Sequence, residues 1–87
     1  MASFNRVTLV GNLTRSPELR YAPSGTPILT FGIACNRKFK QGDEVKEDVM
    51  FIDCVEFGAQ AEQHAQVIDK GHQVLVEGRL QQRRWDG

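Results

Sequence analysis

A period of two runs through most of this chain and breaks once, after Gly58. In RVTLVGNL, from Arg6 to Leu13, the residues Val7, Leu9, Gly11 and Leu13 fall on one parity and Thr8, Val10 and Asn12 on the other, which predicts a strand. Gly11 in mid-strand marks a bulge, a barrel corner or a close backbone approach. A second strand from Ile28 carries Leu29, Phe31, Ile33 and Cys35 on one face. Its other face, Ile28, Thr30, Gly32 and Ala34, is small enough for something to pack closely. The third strand, VMFIDCVEF, has Val49, Phe51, Val55 and Phe57 on one parity and Met50, Ile52 and Cys54 on the other, so both faces are expected to be covered. Together the second and third strands form a hairpin across a polar loop from Lys40 to Asp48, long for such a connection and read as a flexible finger.

After Gly58 the spacing becomes helical: Ala61, Ala65 and Ile68 recur at i, i+4 and i+7, flanked by His64 and Val67. A three-turn helix is expected, with Lys70 complementing its negative end and Gly71 as the left-handed stop. QVLVEGRLQQ then returns to strand, with Val74, Val76, Gly78 and Leu80 inward. Between the first two strands, TRSPELRYAPSGTP holds Pro17, Pro23, Gly25 and Pro27, which exclude a long helix, require a tight turn at PSGT and leave ELRY as a short extended piece. The order is strand, strand, strand, helix, strand. A single helix between the third and fourth strands is the arrangement of the OB-fold, a mainly β Greek-key barrel whose curved face commonly binds oligonucleotides. Only Arg83 to Gly87 follow the fourth strand, too few for a closing fifth, so the chain reads as one domain over residues 1–87 that lacks that strand.

Composition narrows the function. Eighty-seven residues make one small domain, and an apolar share of 40% with 25% charged residues is that of an ordinary globular protein. The apolar runs are too short to span a bilayer and MASFNRVTLV lacks the form of a signal peptide, so a cytoplasmic location is expected. Cys35 and Cys54 read as small buried hydrophobes, and with the distant His64 and His72 they do not make a metal site. Both histidines read as structural. The net charge is zero, but it is segregated. Up to Gln41, Arg6, Arg15, Arg20, Arg37, Lys38 and Lys40 face Glu18 alone, whereas Asp43, Glu44, Glu47, Asp48, Asp53 and Glu56 then face only Lys46. Such segregation makes a basic track on a neutral protein. Phe39 lies between Lys38 and Lys40, where burial would drag ammonium groups out of water, and Trp85 follows Arg83 and Arg84. Phe31, in mid-strand on the apolar parity, reads as core; periodicity alone leaves Phe51 and Phe57 open between core and site. Flat side chains among cations suit a single-stranded nucleic acid, which offers a π-face with each base and a charge with each phosphate. The acidic stretch is the sole basis for an enzyme reading, a magnesium nuclease; carboxylates on a turn are more simply solvated, and no catalytic or cofactor motif is present.

The segments NRVTLVGNLTRSPELRYAPSGTPILTFGIACNRKF, FIDCVEFG and KGHQVLVEGRLQQRRW, in this order and spacing, resemble the bacterial single-stranded DNA-binding proteins across essentially the whole chain. The resemblance implies base stacking on Phe39, Phe51, Phe57 and Trp85, and phosphate contacts from Arg6, Arg20, Arg37, Lys38, Arg83 and Arg84, with Lys70 a further candidate. It implies sequence-tolerant binding of single-stranded DNA in replication, recombination and repair, and no catalysis. It also implies a homotetramer built from dimers, for which Val10, Gly32, Ala34 and the apolar strand faces offer a surface. Replication and repair proteins are partners only where an acidic C-terminal tail exists. A replication-restart accessory protein of the same fold and an OB-like protein-binding module are the alternatives.

Overall fold

The computed structural model describes residues 3–81. The elements are β1 (Val7–Leu13), β2 (Glu18–Tyr21), β3 (Pro27–Gln41), β4 (Glu44–Phe57), α1 (Ala59–Val67) and β5 (Gln73–Gly78). All strand pairs are antiparallel, in one five-stranded sheet. β3 is its spine. One edge of β3 takes β2 from Pro27 to Thr30 and then β1 at Ile33 and Ala34, while the other pairs with β4 from Ile28 to Gln41. β1 stays with β3 only through Asn12 and Leu13 and gives its length, Val7 to Asn12, to β5. The sheet therefore curls, as an OB-fold requires. Gly11 permits the corner: a methyl group there would lie 2.7 Å from the Ala34 carbonyl oxygen, a backbone atom that cannot step aside.

The period-two faces hold where the barrel forms. Leu29 and Ile33 are fully buried, Phe31 nearly so, and with Leu13 and Ala61 they make the core. Leu9, Leu19, Cys35, Ile52, Cys54, Val74 and Val76 pack around them, and α1 closes one end with Ala61, Ala65 and the following Ile68. Asn5 extends the β1–β5 ladder with its side chain, which donates to the Leu80 carbonyl (2.7 Å) and accepts from the Leu80 N–H (3.1 Å).

Several expectations need correction. ELRY is a strand in its own right, β2. The finger from Lys40 to Asp48 is not a loop, because Gln41↔Glu44 and Lys40↔Val45 continue the β3–β4 pairing to a two-residue turn at Gly42 and Asp43. Gly42 takes φ 63° there and Asp43 keeps a negative φ, the pattern of a II′ hairpin turn, whose twist matches that of the strands. Polar composition concealed this arm because it needs no core. The helix ends at Val67, where Ile68 is already extended (φ −103°, ψ 147°), so neither Lys70 nor Gly71 caps it. Gly71 instead takes φ 89° in the following turn, where its N–H and the His72 carbonyl bond the two backbone groups of Leu13. β5 stops at Gly78, and Leu80, expected inward, is exposed. Both histidines make local contacts: His64 Nδ1 meets both Glu56 oxygens (2.7 and 2.9 Å), and His72 Nδ1 accepts from the Asp69 N–H (3.1 Å).

Among the described residues no strand lies between β4 and β5. No Cα of β4 comes within 8 Å of one in β5, and the space between them is a groove of about 1000 Å³. Phe31, Ile52, Cys54, Ile68, Val74 and Val76 form its apolar floor.

Candidate nucleic-acid interface

Strand register decides which residues share a surface. Residues opposite one another in an antiparallel pair point to the same face. The outer face of the β3–β4 ribbon therefore carries, in rows, Ile28 with Phe57, Thr30 with Val55, Gly32 with Asp53, Ala34 with Phe51, and Asn36 with Val49. Arg20, opposite Ile28 on β2, extends the first row. Both aromatics stand in the open, Phe51 72% and Phe57 63% exposed. Val49, Met50 and Val55 are also exposed, so the expectation that both faces of β4 are covered fails for this chain by itself. The inner face lies on the core, whereas Phe51 and Phe57 on the outer one stay open to solvent among the described residues. Phe51 and Phe57 are six positions apart on one strand, about 20 Å at 3.3 Å per residue.

Phe39 is placed differently. It lies opposite Lys46 on the β3–β4 arm, five positions beyond Ala34, and so belongs to the strand face away from Phe51 and Phe57. Its ring is half-buried beneath the Arg37 guanidinium, whose carbon lies 4.9 Å from the ring centre. Arg37 also donates to Asp48 at 3.2 Å, across a directly opposed pair. Phe39 is thus a platform with a cation already over it, on an arm whose strand twist turns its faces relative to the barrel.

The cations differ in how they are held. Arg6 pairs with Glu77 at the β1–β5 edge, and Arg20 with Glu18 (2.9 Å) on β2. Lys38 makes no ion pair among the described residues and shares the outer-face parity of Phe51, opposite Glu47. Lys70 sits in the turn between α1 and β5, remote in sequence and register from the β3–β4 rows. There Asp69 accepts from the Ser16 hydroxyl and the Lys70 N–H, which hold its carboxyl below the usual range. Arg83, Arg84 and Trp85 lie outside the described residues. The acidic stretch does not gather either: Glu44, Glu47 and Asp48 are strung along the arm, with Asp48 engaged by Arg37.

Sequence reading missed Arg15. Thr14 donates its N–H to the Gly32 carbonyl (2.9 Å), which pins the chain against β3. Arg15 then crosses Gly32 to reach Asp53 on β4, Nη2 to Oδ1 3.4 Å. The space over Gly32, expected to serve a neighbouring subunit, is taken by this side chain. The sequence signal was the glycine itself, on a strand face that nothing else in the pattern explained.

A curled antiparallel sheet of five strands with one helix between the last two is the architecture of the OB-fold class. The comparisons narrow the class: the model of the single-strand binding protein family matches residues 4–87, and the chain belongs to that family. It is 48% identical over 84 residues to a single-stranded DNA-binding protein of Helicobacter hepaticus, covering 95% of this chain and 49% of that protein. To the single-stranded DNA-binding protein of Treponema pallidum it is 48% identical over 86 residues, covering 99% and 49%. The chain thus spans about half the length of these relatives. Its fold matches that of the Plasmodium falciparum SSB in complex with ssDNA, with TM-score 0.88 at 23% identity, covering 100% of this chain and 79% of that one.

Proposed function

We propose that this chain binds single-stranded DNA without sequence preference, along the outer face of β3 and β4, and performs no catalysis. The observation that carries this reading is the pair of exposed rings, Phe51 and Phe57, on one outward face of one strand, with Arg20 in the row of Phe57 and Lys38 two rows beyond that of Phe51. An exposed phenylalanine is poorly hydrated and gains by stacking on any base, so grip is sequence-tolerant. Arg20, Arg37 and Lys38 supply phosphate contacts, and Phe39 with Arg37 extends the track onto the arm. Arg6, Lys70, Arg83, Arg84 and Trp85 join it by resemblance. Membership of the single-strand binding protein family and relatives named for this activity support the reading.

The assembly we infer is a homotetramer, working in the cytoplasm on DNA opened in replication, recombination and repair. Val10 and Leu75 support it: they are directly opposed on the outward face of β1 and β5, and both are more than half exposed. An apolar cross-strand pair in that position favours a second copy. No helix among the described residues is long and apolar enough to cross a membrane.

The test is titration of the 87-residue chain with oligothymidylate, followed by Trp85 fluorescence at several salt concentrations. Quenching that weakens with salt, at about 0.7 log unit in affinity per log unit of salt for each phosphate neutralised, is expected. Absence of binding, or binding indifferent to salt, overturns it.

A further inference from the structure

The pair formed by Arg15 and Asp53 occupies the middle of the outer face, two positions from Phe51 and four from Phe57 along β4. These steps are about 7 and 13 Å. The guanidinium lies over Gly32: a methyl group at that position would sit 2.5 Å from Arg15 Nη1 and 2.9 Å from Thr14 Oγ1. Any larger residue would displace Arg15 from the face. Glycine weakens a strand interior, so its presence between Phe31 and Ile33 serves the side chain that crosses it.

Stability is a weak account of this arrangement. The Arg15 and Asp53 side chains are 54% and 85% exposed, and their closest approach is a single contact at 3.4 Å. Ion pairs of that kind contribute little. Position explains more. A strand of nucleic acid whose bases stack on Phe51 and Phe57 must carry its phosphates past the row between them. The single carboxylate in that row, Asp53, would repel them, and Arg15 is the cation set against it.

We propose that Arg15, seated over Gly32, is a phosphate ligand of the single strand, and that Asp53 holds it in place and gives it up to the incoming phosphate. The two non-bridging oxygens of a phosphate can accept from the guanidinium fork bidentately, as those of a carboxylate do, so an incoming phosphate can take the place of Asp53. Arg15 is thereby pre-positioned at little entropic cost, and Asp53 competes for it. The proposal rests on the binding reading above and adds to it a residue, its seat and its competitor.

The experiment measures anisotropy of a labelled oligothymidylate with the full 87-residue chain and six variants: Arg15→Ala, Asp53→Asn, these two combined, Phe51→Ala, Gly32→Val, and Gly32→Val combined with Arg15→Ala. Arg15→Ala is expected to weaken binding about two- to five-fold at low salt, the range of an exposed ion pair. It should also lower the salt slope by about 0.7, the counterion equivalent of one single-strand phosphate. Asp53→Asn is expected to tighten binding when Arg15 is present and to do so less in the Arg15→Ala background, since part of its effect is release of that arginine. Gly32→Val, with its fold checked by thermal unfolding, should reproduce the Arg15→Ala loss and add nothing to it.

Equal tightening by Asp53→Asn with and without Arg15 would mean that Asp53 acts only as a repelling charge, and the proposal would be wrong. Unchanged affinity and salt slope in Arg15→Ala, beside a clear loss in Phe51→Ala, would overturn the role of Arg15 while leaving the binding face intact. Failure of the unaltered chain to bind would remove the binding reading and the proposal with it.

Discussion

Phe51 and Phe57 show how far a side chain's role depends on which face of its strand it occupies. Phe31, on the inner face, is nearly buried, whereas these two stand in solvent. If bases stack on them as proposed, Phe51→Ala and Phe57→Ala are each expected to lower single-strand affinity by roughly 1–3 kcal/mol. The unfolding midpoint in urea should stay nearly fixed in both, because exposed rings contribute little to the fold. Cys54 shows the opposite environment. Burial, with Asp53 and Cys35 nearby, pushes its thiol up from the ordinary value. Folding then favours the neutral thiol, so this contribution to stability is complete below the ordinary thiol range and is lost as pH rises through the raised value. Iodoacetamide at mildly alkaline pH is expected to alkylate Cys54 more slowly in the native chain than in urea, measured by mass spectrometry. Equal rates would place the thiol in solvent.

Among the elements, the β3–β4 ribbon changes character along its length. From Ile28 to Cys35 it is backed by the core, and beyond Asn36 it is a two-stranded arm with exposed or half-buried side chains on both faces. Two strands without a packed face are marginal alone. The arm's inner ladder is therefore expected to exchange its amide hydrogens much faster than that of Leu29 to Ile33, and to gain protection when oligothymidylate is added. Uniform protection along β3 in the free chain would contradict this. The arm also explains why the sequence predicts a loop there: QGDEVKED is polar but for Val45, and a polar ladder leaves no apolar period. A two-stranded ribbon in water has no apolar face to display, so only Gly42 and the lone Val45 marked it. ELRY, expected as a short extended piece, is extended as β2; its place in the sheet is not legible because four residues are too few to establish a period and pairing with β3 is what makes them a strand.

For the whole molecule, the surfaces left open matter as much as the core. Leu29, Phe31 and Ile33 hold a single small cluster together, while the groove between β4 and β5 and the Val10 and Leu75 pair leave apolar surface in water. Monomeric proteins seldom expose contiguous patches of this kind. Val10→Lys together with Leu75→Lys is expected to shift the sedimentation coefficient from an assembly toward a monomer, by desolvation and like-charge repulsion at a self-matching face. Circular dichroism should stay unchanged, since both positions point away from the core. An unaltered coefficient would move the interface elsewhere.

What could be read from the residues alone was local and periodic. The inward parity of β3, the helical stripe of Ala61, Ala65 and Ile68, the tight turn around Gly25 and the exclusion of a helix from the proline-rich segment each follow from spacing or from a residue's own backbone limits. The resemblance extended that reading to family and activity, and the match over residues 4–87 shows the family. Tertiary structure decided what depends on pairing between distant segments. Register and the core put the shared face of Phe51 and Phe57 outward and Phe39 on the other face, and the fold brought Arg15 across Gly32 to Asp53, 38 positions away in the chain. Period two assigns a residue to one of two faces, but only the partner strand and the core settle which face is covered and what else stands on it.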